Sequence, residues 1–298
     1  MIEIKQLTKA FDQTVAVDSL DLTVENGTVL GLVGSNGGGK STLLRMLSGV
    51  YRADKGEIKI DGQDVYDNPD VKGECFFVSD FPYFYNTSTL SNTASLYRDI
   101  YPNWSEEAYE RYCKTFPIDR NRRIINMSKG MQRQAALILA LSTCPKYLFL
   151  DEIFDGLDAV IRLTLKKILI ERVADHSMTI IIASHNLREL EDLCEKICLL
   201  HQGKVLAEHD IYSMRNEFKK VQIAFTEEPE GNPFEGIDVV NILQNGKVYN
   251  LTIRGTEDDF MSKLEALQPA FISMLPLTLE EVFVSELGGV GYDSENIG

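Results

Sequence analysis

Hydrophobic and polar positions alternate along residues 2–11 and 14–24, with Phe11-Asp12-Gln13 as a turn between them. A period of two puts successive side chains on opposite faces, so the two stretches predict antiparallel strands. The pattern then changes. Residues 28–33 form a short, apolar, β-branched run, and 75–78, 147–150, 179–183 and 197–200 are of the same kind. Such runs are how the strands of a sheet covered on both faces read. Residues 57–60 predict one more strand, closed by the Asp61-Gly62 turn, while 40–49 and 159–173 carry apolar residues at helical spacing. Strands alternating with helices predict an α/β fold around a mostly parallel sheet.

Two segments depart from this rhythm. Residues 81–116 are crowded with aromatics, among them Tyr83, Phe84, Tyr85, Tyr97, Tyr101, Trp104, Tyr109 and Tyr112, and Ser105 before Glu106 and Glu107 reads as a helix N-cap with acids in the first turn. A helical insert is predicted there, whose rings have two open uses: its own small core, or a surface where a partner's helix docks. After about Glu217, strands are predicted at 221–225, 239–243 and 247–253, the last two joined at Asn245-Gly246, with helices at 257–267 and 278–287. Thr278 and Glu281 can form a capping box, and the residues after Gly288 read as frayed. The organisation expected is therefore a domain at 1–217, with a helical subdomain at about 81–143, and a small α+β appendage at 218–298.

Composition bounds what these elements can serve. A chain of 298 residues with 44% hydrophobic content can bury a full core. No segment approaches the roughly 18 consecutive apolar residues of a membrane span, and the first residues lack a signal-peptide pattern, so a cytosolic location is expected. Five cysteines at irregular spacing suggest reduced thiols. Cys194 and Cys198 stand four apart, but a helix is expected to end between them, which argues against a metal site. The net charge of −15 argues against a dominant nucleic-acid or anionic-lipid surface. From Tyr212 onward 15 acidic residues face 6 basic ones, an asymmetry that marks a domain boundary.

The chemistry begins where the 28–33 run meets the first predicted helix. Gly34, Ser35, Asn36, Gly37, Gly38, Gly39, Lys40, Ser41 and Thr42 satisfy the pattern G-x4-G-K-[ST] between a strand and a helix. Glycines let consecutive backbone N–H groups converge on a polyphosphate, and the helix N-terminus favours the anion. Lys40 would reach the β- and γ-phosphates and the Ser41 hydroxyl would bind Mg²⁺. The second element is the run at 147–150 ending in Asp151-Glu152. Asp151 at the strand tip would hold Mg²⁺, and Glu152 is assigned as the general base for an attacking water. A plain glycine turn and an acidic turn are the competing readings, and each weakens beside the other motif.

With these two motifs in hand, the chain resembles the ATP-binding subunits of ABC transporters over about residues 1–215. Met127-Ser128-Lys129-Gly130-Met131 is similar to the family's signature motif, Asp155-Gly156-Leu157-Asp158 to its D-loop, and His185 to its switch histidine. Phe11 sits where an aromatic stacks on adenine, and Asp80 occupies the Q-loop position. The resemblance implies a P-loop NTPase of ABC type, with an antiparallel β subdomain, a helical insert and a small C-terminal α+β appendage. It implies ATP and Mg²⁺ as ligands, with Ser128, Gly130 and Asp158 joining the nucleotide-binding set and Asp80 the metal set. Ser128 can cap a helix whose first turn is exposed through Gly130, which makes a second anion site.

In the family that helix end meets the γ-phosphate bound by another subunit, so a head-to-tail homodimer or heterodimer holding two ATP molecules is expected. A chain without a span also needs separate integral membrane subunits, which would place it on the inner face of the cell membrane. The stretch from Leu277 to Phe283 is similar to endings of ATP subunits of ABC-2-type exporters, which favours export. The rivals are a soluble ABC-type ATPase acting on nucleic acid or ribosomes, which the acidic charge disfavours, and a simple P-loop kinase, which the signature and D-loop disfavour. Three departures from the family pattern stand out: no glutamine lies between Gln63 and Gln132, Lys129 and Met131 replace glycine and glutamine, and Ile153-Phe154 precede Asp155. An aspartate at position 80 adds negative charge beside the triphosphate, from which an altered metal dependence is expected.

Overall fold

In a computed structural model of the chain, the described residues are 1–282 apart from 228 and 230. In chain order the elements begin with β1 (Ile2–Phe11), β2 (Thr14–Val24), β3 (Val29–Val33), α1 (Lys40–Leu47), β4 (Lys55–Ile60), β5 (Gln63–Asp64), α2 (Pro69–Gly73) and β6 (Cys75–Val78). Then follow α3 (Leu90–Ile100), α4 (Glu106–Thr115), α5 (Lys129–Ser142), β7 (Tyr147–Asp151), α6 (Ala159–His176), β8 (Thr179–Ser184), α7 (Leu187–Leu190), β9 (Lys196–His201) and β10 (Lys204–Asp210). The chain continues with α8 (Ile211–Glu217), β11 (Phe218–Ala224), β12 (Val239–Asn245), β13 (Val248–Arg254), α9 (Glu257–Ala266) and β14 (Phe271–Leu275). These divide into two compact units, one of residues 1–185 with 193–208, the other of 186–192 with the chain from 209 onward.

The first unit holds two sheets. One is antiparallel, in the order β2-β1-β4-β5, and its alternation is real: Ile2, Ile4 and Leu7 are buried while Glu3 is half-buried and Lys5 exposed. The other runs β10-β9-β3-β8-β7-β6, with parallel pairing from β6 through β9, and β3, β7 and β8 are buried along their whole length. Burial on both faces explains their uninterrupted apolar character. Register matters more than composition here. Val33 pairs with Ser184, and Asp151 with Ala183, so the next residues of all three strands, Gly34, Glu152 and His185, emerge at one carboxyl edge. In open α/β sheets that edge is where ligands bind.

The helical insert is α3, α4 and α5. Thr89 caps α3 through the Asn92 N–H, and Ser105 caps α4 by accepting from the Ala108 N–H at 3.1 Å. The rings divide into a buried set and an exposed one. Tyr109, Tyr112 and Phe116 are buried in the insert, and Phe76 packs against Tyr97 and Tyr101, whereas Phe81, Tyr83 and Tyr85 are 69–81% exposed.

In the second unit the sheet order is β12-β13-β11-β14, and Val221, Ile223, Leu251, Ile253, Phe260 and Leu264 form its core beneath α9. β10 and β14 escaped the sequence reading because both lack a fully buried face: β10 alternates between exposed and half-buried, and Phe271 opens β14 exposed. One expectation is corrected. No helix ends between Cys194 and Cys198, because α7 stops at Leu190 and Cys198 lies buried in β9. Of the helix expected at 278–287, residues 279–282 are helical, with the capping box formed by Thr278 and Glu281, and the rest lies outside the described residues, as does everything after Gly288.

Candidate functional site

The loop from Gly34 to Gly39 is shaped by how closely other backbone approaches it. A Cβ on Gly34 would stand 2.0 Å from the Leu200 carbonyl oxygen, and one on Gly39 would meet the Ala16 oxygen at 2.4 Å, where the backbone also has φ +102°. Only glycine meets both demands. Gly39 is the N-cap of α1 and brings no side chain, so the first N–H groups of the helix keep their donors for an anion. Lys40 is buried, its ammonium donating to the carbonyls of Gly34 at 2.6 Å and Ser35 at 3.2 Å. Burial pushes its pKa down, while the charges of Glu152 and Asp151 pull it up.

Facing the loop across the sheet edge are two carboxylates, Asp151 at the end of β7 and Glu152 just after it. Asp151 is fully buried, and the Ser41 hydroxyl donates to its Oδ1 at 3.0 Å. Its other oxygen, Oδ2, is buried with no hydrogen-bond partner. Burial raises the Asp151 carboxyl to about 6, the Ser41 bond works against this, and the nearby charge of Asp80 adds to it. An open buried carboxylate oxygen beside a hydroxyl is a poor arrangement for a neutral fold and a good one for a hard cation with oxygen ligands. The residues present thus fit Mg²⁺, which Ser41 and Asp151 would hold.

Glu152 occupies an αL backbone conformation, φ +47°, fixed by its N–H donating to the Ala183 oxygen at 3.0 Å. Such a conformation in a residue other than glycine costs energy and clusters at functional sites. It turns the carboxylate between two partners: Oε1 lies 3.8 Å from the Lys40 ammonium and Oε2 lies 2.9 Å from His185 Nδ1. Asp155 joins them, one oxygen of it lying within 4.8 Å of ligand atoms of Glu152 and His185.

Gly37, Gly38, Gly39, Asn36, Lys40, Ser41, Thr42, Asp80 and Glu152 line one open cleft of about 330 Å³. Four of the sequence candidates sit elsewhere or in other roles. Phe11 is 39% exposed and packs edge-on against Tyr51, with the Lys9 ammonium over its ring. The Ser128 hydroxyl accepts from the Met131 N–H at 3.3 Å and so caps α5. Gly130 presses on the loop that precedes α6, since a Cβ there would stand 2.7 Å from the Gly156 oxygen. Asp158 caps α6, its Oδ1 accepting from Val160 and Ile161.

Two arginines were missed by sequence reasoning. Arg45 points its guanidinium at Asp80, Nη2 to Oδ1 3.6 Å, and thereby offsets the extra negative charge expected there. Arg133 donates to the Asp80 carbonyl from Nε and Nη2, at 3.3 and 3.0 Å, tying α5 to the same loop. Arg45 stands five residues after Lys40, one and a half helical turns on, a spacing that could have been noticed only with the position of Asp80 known.

Known proteins resemble this arrangement. The family model for the ABC transporter matches residues 17–155. Over 289 residues the chain is 31% identical to the ABC transporter ATP-binding protein YtrB of Bacillus subtilis, covering 97% of this chain and 99% of that protein. It is 29% identical over 212 residues to the lipopolysaccharide export system ATP-binding protein LptB of Haemophilus influenzae, covering 68% and 88% of the two chains. A protein named for import, the sulfate/thiosulfate import ATP-binding protein CysA 2 of Shewanella oneidensis, is also similar, 30% identical over 213 residues that cover 68% of this chain and 60% of that protein. A dimeric ATP-binding cassette in a post-hydrolysis state with ADP and Pi shares the fold, with a TM-score of 0.65 at 21% identity over 71% of this chain and 99% of that one.

Proposed function

The chain belongs to the ABC transporter family, among its ATP-binding, ATP-hydrolysing proteins, and from that premise we propose that it is the ATPase subunit of an exporter, working as a head-to-tail homodimer beneath separate membrane subunits. One observation carries the catalytic part: the buried, unpartnered Asp151 Oδ2 beside Ser41, with Glu152 held between Lys40 and His185. The glycine loop and the start of α1 bind the β- and γ-phosphates, and the Lys40 ammonium exchanges its carbonyl partners for phosphate oxygens. Bound Mg²⁺ would neutralise phosphate charge in this site. Glu152 takes the proton of the attacking water as general base. His185, bonded to Glu152 Oε2, orients that carboxylate and leaves its second ring nitrogen for the γ-phosphate or the water.

The second subunit supplies the start of its own α5. Ser128 and Lys129 are exposed there, and the helix end carries partial positive charge. Phe11 is placed beside adenine, Asp80 beside the metal, and Asp158 near the dimer contact. No helix among the described residues is long and apolar enough to cross a membrane, so transport requires partners that do. The exposed Phe81, Tyr83 and Tyr85, just after Asp80, are the surface we assign to a membrane subunit's cytoplasmic helix, because aromatics anchor interfaces. Export is favoured by the resemblance of residues 277–283 to exporter endings, of which Phe283 lies outside the described residues. The subunit is accordingly placed on the inner face of the cell membrane.

Purification from membranes under mild detergent tests the assignment. An integral membrane protein should accompany the chain, and ATP hydrolysis should need Mg²⁺. Co-purifying RNA or DNA with no membrane protein would overturn the transporter reading in favour of an ATPase acting on nucleic acid.

A further inference from the structure

A second cavity, of about 490 Å³, opens in the first unit between the start of α4, the loop before β7 and the last turns of α6. It shares no lining residue with the nucleotide cleft. It also lies at the amino edge of β7, the strand whose carboxyl edge bears Asp151. Its lining is basic, with Arg111, Lys146, Arg172 and His176 against a single carboxylate, Glu107. In a chain of net charge −15 such a lining has to be explained.

Two of the cations are already matched. Lys146 pairs with Asp61 at 2.6 Å and Arg111 with Glu171 at 3.7 Å. Arg172 is different. It is 93% buried, since 7% of its surface is exposed, its Nε is buried with no hydrogen-bond partner, and among the described residues its guanidinium has no ion pair. A buried charge with no counter-charge is strongly disfavoured unless something completes it. The fork of a guanidinium is matched by two oxygens of a carboxylate or phosphate. The cavity's size falls in the range of small-molecule sites and exceeds what a bare ion needs.

We propose that this cavity binds a small organic oxyanion, a phosphate ester or a carboxylate, with Arg172 as its buried anchor and Arg111 and His176 at the rim. The site is independent of ATP binding, and the Glu107 carboxylate facing the same space selects for ligands that approach from the Arg172 side.

Trp104, the chain's single tryptophan, stands in sequence between the lining residues Asn103 and Ser105 and packs on Tyr109 of α4, which makes it a probe beside the cavity. Its fluorescence and the heat of binding should be followed at constant ionic strength as glycerol 3-phosphate or succinate is added, with ADP and Mg²⁺ saturating the nucleotide cleft. A saturable change with either probe is expected, and whichever titrates at the lower concentration identifies the phosphate or the carboxylate class. Arg172→Gln should weaken it at least about tenfold, the loss of one charge-assisted contact. Arg111→Gln, at an exposed position that leaves the core intact, should weaken it about threefold. No saturable change with either anion overturns the proposal, as does a folded Arg172→Gln protein that titrates like the parent. Should Arg172→Gln fail to fold, an unchanged titration in Arg111→Gln overturns it.

Discussion

Helices α1 and α5 both begin beside glycines, yet their first turns are finished in opposite ways. At α1 the residues from Gly38 to Lys40 are buried, no side chain caps the helix, and the carbonyls of Leu200 and Ala16 wall the loop so closely that only glycine fits. At α5 Ser128 and Lys129 are exposed, and the Ser128 hydroxyl already satisfies the Met131 N–H. The first is an anion site enclosed by its own chain. The second is a helix end with partial positive charge that faces outward, which is how a surface built for another molecule's anion is arranged. Under the proposed function, this difference means that one chain carries two halves of two sites.

The comparison breaks or sharpens most visibly at Glu152, which belongs to the enclosed half. Glu152→Gln should lower ATP hydrolysis by roughly 10²–10⁴-fold, the usual share of a general base, and leave ATP affinity nearly unchanged in a fluorescence titration. Next, the two glycines should separate binding from turnover. Gly39→Ala forces a Cβ into a left-handed backbone 2.4 Å from the Ala16 oxygen, and ATP affinity should fall by roughly 10–100-fold. Gly130→Ala should leave affinity alone and reduce hydrolysis, and equal losses of affinity in the two variants would erase the distinction.

A smaller effect is expected at the metal side. With Arg45 at 3.6 Å, Asp80 is part of a charge pair rather than a lone carboxylate, and Asp80→Gln should raise the Mg²⁺ concentration for half-maximal hydrolysis by roughly fivefold, about 1 kcal/mol of charge interaction. An unchanged metal profile would remove Asp80 from the metal set. The smallest effect belongs to the capped end. Ser128→Ala removes the α5 cap, so thermal unfolding should register about 1 kcal/mol of lost stability, with ATP affinity of the chain's own glycine loop intact.

Much of this was legible in the chain because it rests on local rules. Buried parallel strands announce themselves as apolar runs, and the phosphate loop needs glycine, lysine and serine at set spacing, so Gly34 to Thr42 and Asp151-Glu152 could be read directly. What the sequence withheld depends on distant register. Nothing near Arg45 or Arg133 reveals that both converge on Asp80, and nothing near Asp155 places it beside His185. The strand β10 was hidden for another reason, since a half-exposed edge strand carries too weak an alternation to separate it from a loop. The cavity around Arg172 was illegible for the same cause as Arg45: its residues come from α4, α6 and the loop before β7, which only the fold assembles.

The claim on which the account turns is that the two unlike helix ends meet in a dimer across ATP. Light scattering on the purified Glu152→Gln chain tests it most directly. With ATP and Mg²⁺ the mass should double, with ADP it should not, and adding Ser128→Asp, which keeps a capping side chain on α5 but sets a carboxylate at its exposed start against the incoming γ-phosphate, should return the chain to its single mass while ATP stays bound. A Glu152→Gln chain that binds ATP yet keeps its single mass, or a doubled mass indifferent to Ser128→Asp, would contradict the account.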